Sequence, residues 1–268
     1  MTMDPLAEKD YSASPYAYCR NNPIRYVDPT GMEFTDRAED EIVMLTNKYA
    51  KDFYDNSVKI YALRGEISGG GLSDKQINSK EKEISKLEGA NNQINIVRKE
   101  ISTLAASNQV YDIYMDNSMN ISGVVSGTGE NRSMEVFNFT NGNFDIKLGD
   151  SSLGMLVHEL KHAYQFETGA YSTGYMTNGA PFYDQSDEVE AYARGAFFGG
   201  QSRSASSIAS DSTYSKLPVG PINATNHPNI MHLLNNPAAL QKMVNGYQQN
   251  GMAFRINGIT YRTIYNGK

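Results

Sequence analysis

The sequence predicts an α+β fold, with a long helical hairpin set before a small sheet and a group of shorter helices. Three patterns predict it. Apolar residues recur at three- and four-residue steps from Asp36 to about Ile67, and again from about Ser73 to Ala106, the spacing of a buried helical stripe. Between Val110 and Leu148 that period gives way to short apolar runs separated by turn residues, which read as strands. Helical spacing returns from Leu153 to Glu167, in LGMLVHELKHAYQFE.

Taken in order, residues 1–32 hold four of the chain's nine prolines, Pro5, Pro15, Pro23 and Pro29. Prolines so spaced forbid a long helix and favour extended segments and turns. Asp28-Pro29-Thr30-Gly31 is a turn signal, with Pro supplying φ near −65° and Gly free to take positive φ. This stretch reads as an irregular arm.

The first helix begins near Thr35 or Asp36 as cap and carries Ile42, Leu45, Tyr49, Phe53, Ile60 and Leu63 on one face. Gly69-Gly70-Gly71 ends it. The second carries Ile77, Ile84, Leu87, Ile94, Val97, Ile101 and Leu104. Two such helices pair as an antiparallel hairpin over residues 33–107, a helical layer rather than an arm for a partner.

Val110–Met115, Met134–Phe139 and Asn143–Leu148 are the expected strands. Asn141-Gly142 signals a tight hairpin between the last two, and the Gly-, Ser- and Asn-rich residues 117–132 read as a loop. The helix from Leu153 has Asp150 and Ser151 as candidate caps, with Leu153, Leu156, Leu160, Ala163 and Tyr164 as its apolar face. After a Gly-, Tyr- and Thr-containing loop, Ser186 or Asp187 can cap a helix whose first turn is acidic, as the helix dipole favours. The Ser-rich residues 201–215 read as a mobile loop. Short helices interrupted at Pro237 follow, and a closing hairpin turns at Asn257-Gly258. Residues 108–268 form the expected catalytic core, in one compact unit with the hairpin.

Composition bounds the function. Net charge is −6 and the chain has no basic run, which works against a nucleic-acid surface. No apolar run approaches the ~20 residues that span a bilayer, and the first twelve residues lack the apolar stretch of a signal peptide. The expected setting is synthesis in the cytoplasm. Cys19 is the only cysteine, so histidine and carboxylate must supply any metal ligands. It sits in the Pro- and Asn-rich arm, a poor place for a nucleophile.

His158-Glu159-Leu160-Lys161-His162 is the stretch that carries chemistry. Residues four apart share a helix face, so His158 and His162 can hold one Zn²⁺ while Glu159 sits beside its water. Three fixed residues also recur by chance on ordinary helices. Against chance, two of only four histidines fall in this motif. A catalytic zinc takes a third protein ligand, and the acidic helix after Ser186 is the source, with Glu188, Glu190, Asp184 and Asp187 on offer. Tyr183, Tyr175 and His227 are candidate oxyanion donors, although 18 tyrosines make any single one a weak choice. His232 has no assigned partner.

HExxH followed by a helix with Glu188 and Ala191 resembles the gluzincin metallopeptidases, in which a glutamate in an ExxA setting is the third ligand. The resemblance implies a zincin-like core and the metal set His158, His162 and Glu188, with Glu190 as the alternative. It also implies Glu159 as general base and then acid, and a protein or peptide substrate. Many gluzincins carry an aspartate four residues after the third ligand to orient a histidine; here that residue is Tyr192. Separately, DPLAEKDYSASPYAYCRNNPIRYVDPTG resembles the end of the core of RHS-repeat proteins, which closes in a DPxG-type motif before a variable C-terminal toxin. Asp28, Pro29 and Gly31 match that motif, and the repeats that build the core are absent. The two resemblances together imply a zinc metallopeptidase toxin with a cognate immunity protein, exported as part of a larger toxin or by a dedicated secretion system, while charge and hydropathy add the expectation of no nucleic-acid or membrane partner. The alternatives are a non-catalytic binding module of zincin fold, favoured by Tyr192, and a toxin of nucleolytic chemistry.

Overall fold

The computed structural model describes residues 34–115, 134–149, 152–174, 181–248 and 251–265. The proline-rich arm, Cys19, the 117–132 loop and Tyr175 lie outside these residues. Of the described residues, 39–102 belong to one compact unit and 34–38 with 103–265 to another. The chain is mixed α and β, as the periodicity predicts, and predominantly helical.

The first unit is made of most of α1 (Asp36–Ser68) and most of α2 (Asp74–Ala105). Gly70 and Gly71 take φ of +77° and +80° in the connection, a left-handed backbone that glycine adopts without a Cβ penalty. Near that turn Ile60, Leu63 and Ile84 form a small core with Ile67 and Leu87. Asn56 Nδ2 donates to Asn91 Oδ1 at 2.9 Å further along the pair, so the helices run antiparallel. Ile42, Leu45, Tyr49, Ile94, Val97 and Ile101 are buried, the stripe that the spacing marks out. The exposed Arg64–Glu88 pair adds little, since solvent screens it.

The second unit holds β1 (Tyr111–Met115), β2 (Met134–Phe137), β3 (Phe144–Leu148), α3 (Leu153–Glu167) and β4 (Ser172–Gly174). They are followed by α4 (Gln185–Phe197), α5 (Ala205–Ser210), α6 (Pro228–Met231), α7 (Pro237–Asn245), β5 (Met252–Ile256) and β6 (Ile259–Arg262). One sheet has the order β1-β3-β2, with β1 parallel and β2 antiparallel to β3. The other has the order β4-β5-β6 and is antiparallel. Phe166 on α3 packs on Phe144 and Phe137 with centroids 4.7 and 6.1 Å away. A second core gathers Phe182, Ile230, Leu240, Val244 and Phe254.

α3 ends in a buried polar junction. Glu167 Oε2 accepts from Tyr111 Oη (2.6 Å) and Ser107 Oγ (2.7 Å) and pairs with Arg255 Nε at 2.8 Å. One carboxylate thereby joins β1 of the first sheet, the motif helix and β5 of the second.

Several expectations are corrected. The cap of α3 is Ser152, whose side chain accepts from Met155 N; Asp150 and Ser151 lie outside the described residues. The cap of α4 is Asp184, not Ser186 or Asp187. Asp184 accepts from Ser186 N at 2.7 Å while Asp187 accepts from Asp184 N at 3.0 Å, a reciprocal box that satisfies two helix-end donors. The β2–β3 connection is longer than a two-residue turn: Phe137 pairs with Phe144, Asn138 N donates to Asn143 O, and Gly142 takes φ +83°. Residues 201–215 are not simply loop. Ser204 caps α5 and the fully buried Ile208 anchors it, a contact that serine content does not reveal. The closing hairpin turns at Asn257 (φ +51°) and Gly258 (φ +74°), the positive values a two-residue turn needs.

Candidate metal centre

Two helices build the centre, and three glycines let them approach. A Cβ on Gly154 of α3 would lie 2.2 Å from the backbone nitrogen of Gly200, just past α4. One on Gly195 of α4 would lie 2.6 Å from Gly154 O and 3.2 Å from His158 Cβ. No larger residue fits such contacts without moving a helix. Gly195 is seven residues after Glu188, two turns along α4 on the same face. The close crossing at Gly195 therefore sets how near Glu188 comes to α3.

His158, His162 and Glu188 come together as a group able to hold a metal ion, each with one ligand atom within 4.8 Å of the others. The two Nε2 atoms are 3.3 Å apart. Glu188 Oε1 is 3.5 Å from His162 Nε2, and its Oε2 is 3.8 Å from His158 Nε2. For ligand bonds of 2.0–2.1 Å, a tetrahedral ion separates its ligands by about 3.3 Å. The three spacings could admit a metal ion, with the Glu188 side slightly open.

Hydrogen bonds on the far side of each ring settle where the protons are. Gln165 Nε2 donates to the backbone carbonyl of Asp187 at 3.1 Å, so its Oε1 must accept, and at 2.8 Å it faces His162 Nδ1. His162 therefore carries its proton on Nδ1. The His158 ring is hydrogen-bonded to the backbone carbonyl of Ala191, which can only accept. With Nε2 turned to the cluster, Nδ1–H is its donor. Burial and the adjacent His162 hold His158 well below the usual histidine range, so the ring is neutral at pH 7. Two unprotonated Nε2 lone pairs thus converge on one carboxylate.

The other carboxylates have separate tasks. Glu190 is exposed, pairs with Lys161 Nζ at 3.1 Å and accepts from Gln165 Nε2 at 3.3 Å. Asp184 and Asp187 form the cap of α4, and burial pushes the Asp187 carboxyl up to about 8. Neither those two nor Glu190 is in the group of three. Glu159, next to His158, is 3% exposed. Tyr183 Oη donates to Glu188 Oε1 at 2.5 Å, placing this hydroxyl beside the centre. His227 instead caps α6, its Nδ1 accepting from Asn229 N, and meets Phe182 edge-on. His232 is at the exposed end of α6. Gln165 and the three glycines escape sequence reasoning: an amide and small residues carry no ligand signature, and only their spacing on the helix faces hints at them.

No protein-family model matches the chain, and neither a curated protein nor a solved structure matches it.

Proposed function

We propose that the chain is a zinc-dependent metallopeptidase of zincin-like core, acting as the C-terminal toxin of an RHS-type system. The observation that carries the reading is the electron-rich cluster. Two Nε2 lone pairs 3.3 Å apart, both protons committed elsewhere, repel each other and the Glu188 carboxylate unless a cation lies among them. Imidazole and carboxylate without thiolate suit zinc.

Zinc bound there would lower the pKa of its water to about 7 and polarise the scissile carbonyl. Glu159 serves as the base that takes the proton and as the acid that hands it to the leaving amine. Gln165 and the Ala191 carbonyl hold the two rings in the ligating tautomer. Tyr183, with its hydroxyl already beside the centre, is the candidate donor to the oxyanion. The toxin role rests on the RHS-like arm, whose resemblance also implies an immunity partner and export with a larger assembly. Among the described residues no helix is long and apolar enough to cross a membrane.

The test is elemental analysis of protein purified without added metal, together with proteolysis by Glu159→Gln. One zinc per chain and loss of peptide cleavage are expected. Absence of zinc, or a variant as active as the parent, refutes the assignment.

A further inference from the structure

We propose that Tyr192, Arg203 and Tyr214 form a stacked clamp that positions His158 for the metal. The inference rests on the zinc reading and deepens it.

The clamp is assembled from two parts of the chain. Tyr192 is on α4, one turn beyond Glu188, and meets the His158 ring edge-on with centroids 4.5 Å apart. Its hydroxyl lies 3.3 Å from the Tyr214 hydroxyl. The Arg203 guanidinium lies over both phenol rings, 5.1 Å from Tyr192 and 5.4 Å from Tyr214. Arg203 Nη2 in turn donates to Asp211 Oδ2 at 2.7 Å and to Ser207 O at 3.3 Å. Asp211 Oδ1 accepts from Thr213 N, and Ile208 buries α5 beneath the stack.

An imidazole held by a single hydrogen bond can still pivot about it. The Ala191 carbonyl fixes one direction of the His158 ring; the Tyr192 ring fixes its plane. Together they aim the Nε2 lone pair at His162 and Glu188. Tyr192 alone would be a mobile wall, and the cation over its face holds it, as arginine does over aromatic rings. Tyr192 and the Ser-rich 201–215 segment thereby acquire one purpose. A positioning residue of this kind alters metal affinity without touching the ion.

The test uses the full chain with Tyr192→Leu, Tyr192→Phe and Arg203→Met. Zn²⁺ affinity is read by competition with a chromophoric chelator, ligand geometry by the visible spectrum of the Co²⁺ form, and folding by metal-free thermal melts. Tyr192→Leu and Arg203→Met are expected to weaken zinc on the order of 10- to 100-fold and to shift the Co²⁺ bands. Tyr192→Phe keeps the ring and stays near the parent. Parent-like affinity and spectrum in both Tyr192→Leu and Arg203→Met overturn the clamp while leaving the zinc centre standing. If Tyr192→Phe is as weak as Tyr192→Leu, the ring is not what positions the histidine, and the proposal falls. If Tyr192→Leu does not fold, Arg203→Met decides alone. A parent chain that binds neither Zn²⁺ nor Co²⁺ removes the zinc reading and the clamp with it.

Discussion

Gly195→Ala is the most direct perturbation of the crossing that brings Glu188 to the histidines. The new methyl would lie 2.6 Å from Gly154 O, and ordinary contact begins at 3.4 Å. α4 must therefore draw back from α3 by about 0.8 Å, because close-packed interiors pass such a strain on. Transmitted along the rigid helix, that shift carries the 3.5 Å separation between Glu188 Oε1 and His162 Nε2 to about 4.3 Å, beyond the ~3.3 Å edge of a tetrahedral site. Overpacking costs about 1–3 kcal/mol, and the gain in helix propensity returns up to about 1 kcal/mol. The metal-free melting point then falls by only a few degrees, about 2–4 °C per kcal/mol at this size. Zinc affinity, by contrast, drops on the order of tenfold or more, as for other residues that hold ligands in place. Chelator competition on parent and variant, with a melt of each metal-free form, separates the two effects. Parent affinity in a folded Gly195→Ala protein would refute the claim that this crossing sets the ligand spacing.

Other expectations follow from the same geometry. Glu159→Gln retains zinc but loses about 10²- to 10⁴-fold in peptide hydrolysis, measured with a denatured-protein substrate. Zinc at about 100 times its Kd adds about 2.7 kcal/mol, so chelation lowers the melting point by roughly 5–10 °C; an unchanged melt argues against a folded-state metal site. Arg255→Met leaves the Glu167 carboxylate with only its two hydroxyl donors in the junction and costs up to about 3–5 kcal/mol, read by urea titration. In the metal-free protein, His158 stays neutral when folded but takes up a proton when unfolded. In an Asp187→Asn background, which removes the opposing proton uptake of that buried carboxyl, stability therefore falls as pH drops below the ordinary histidine value of about 6.5, and a melting point flat between pH 7.5 and 5.5 contradicts the placement of that ring.

Much of the fold could be read from periodicity because α1 and α2 are long, and each turn adds another apolar residue to the same stripe. The His158–His162 pair was legible for a similar reason: four residues on a helix is a spatial statement. Glu188 required a second helix, and only the ExxA setting singled it out from Glu190; the structure shows the physical difference, since buried Glu188 reaches the two histidines while exposed Glu190 pairs with Lys161 on the histidines' own helix. Contacts between distant residues were not legible. The parallel pairing of β1 with β3 and the placement of β5 beside β4 join residues tens of positions apart. The caps fell one to three residues from where they were expected because Asp150, Ser151, Ser152, Asp184, Ser186 and Asp187 are all competent cap types. Ser204–Ser215 misled because serine marks both loops and helix caps, and the anchor is a single isoleucine.

The β4-β5-β6 sheet bears on synthesis as well as stability. The strand that leaves the motif helix, β4, gains its hydrogen-bonding neighbour only from residues 252–256, and Arg255 of that same neighbour holds the end of the helix. On a translating ribosome the two histidines emerge long before those residues. The His158, His162 and Glu188 group consequently lacks the completed second sheet beside its helix until residues 252–262 have been made.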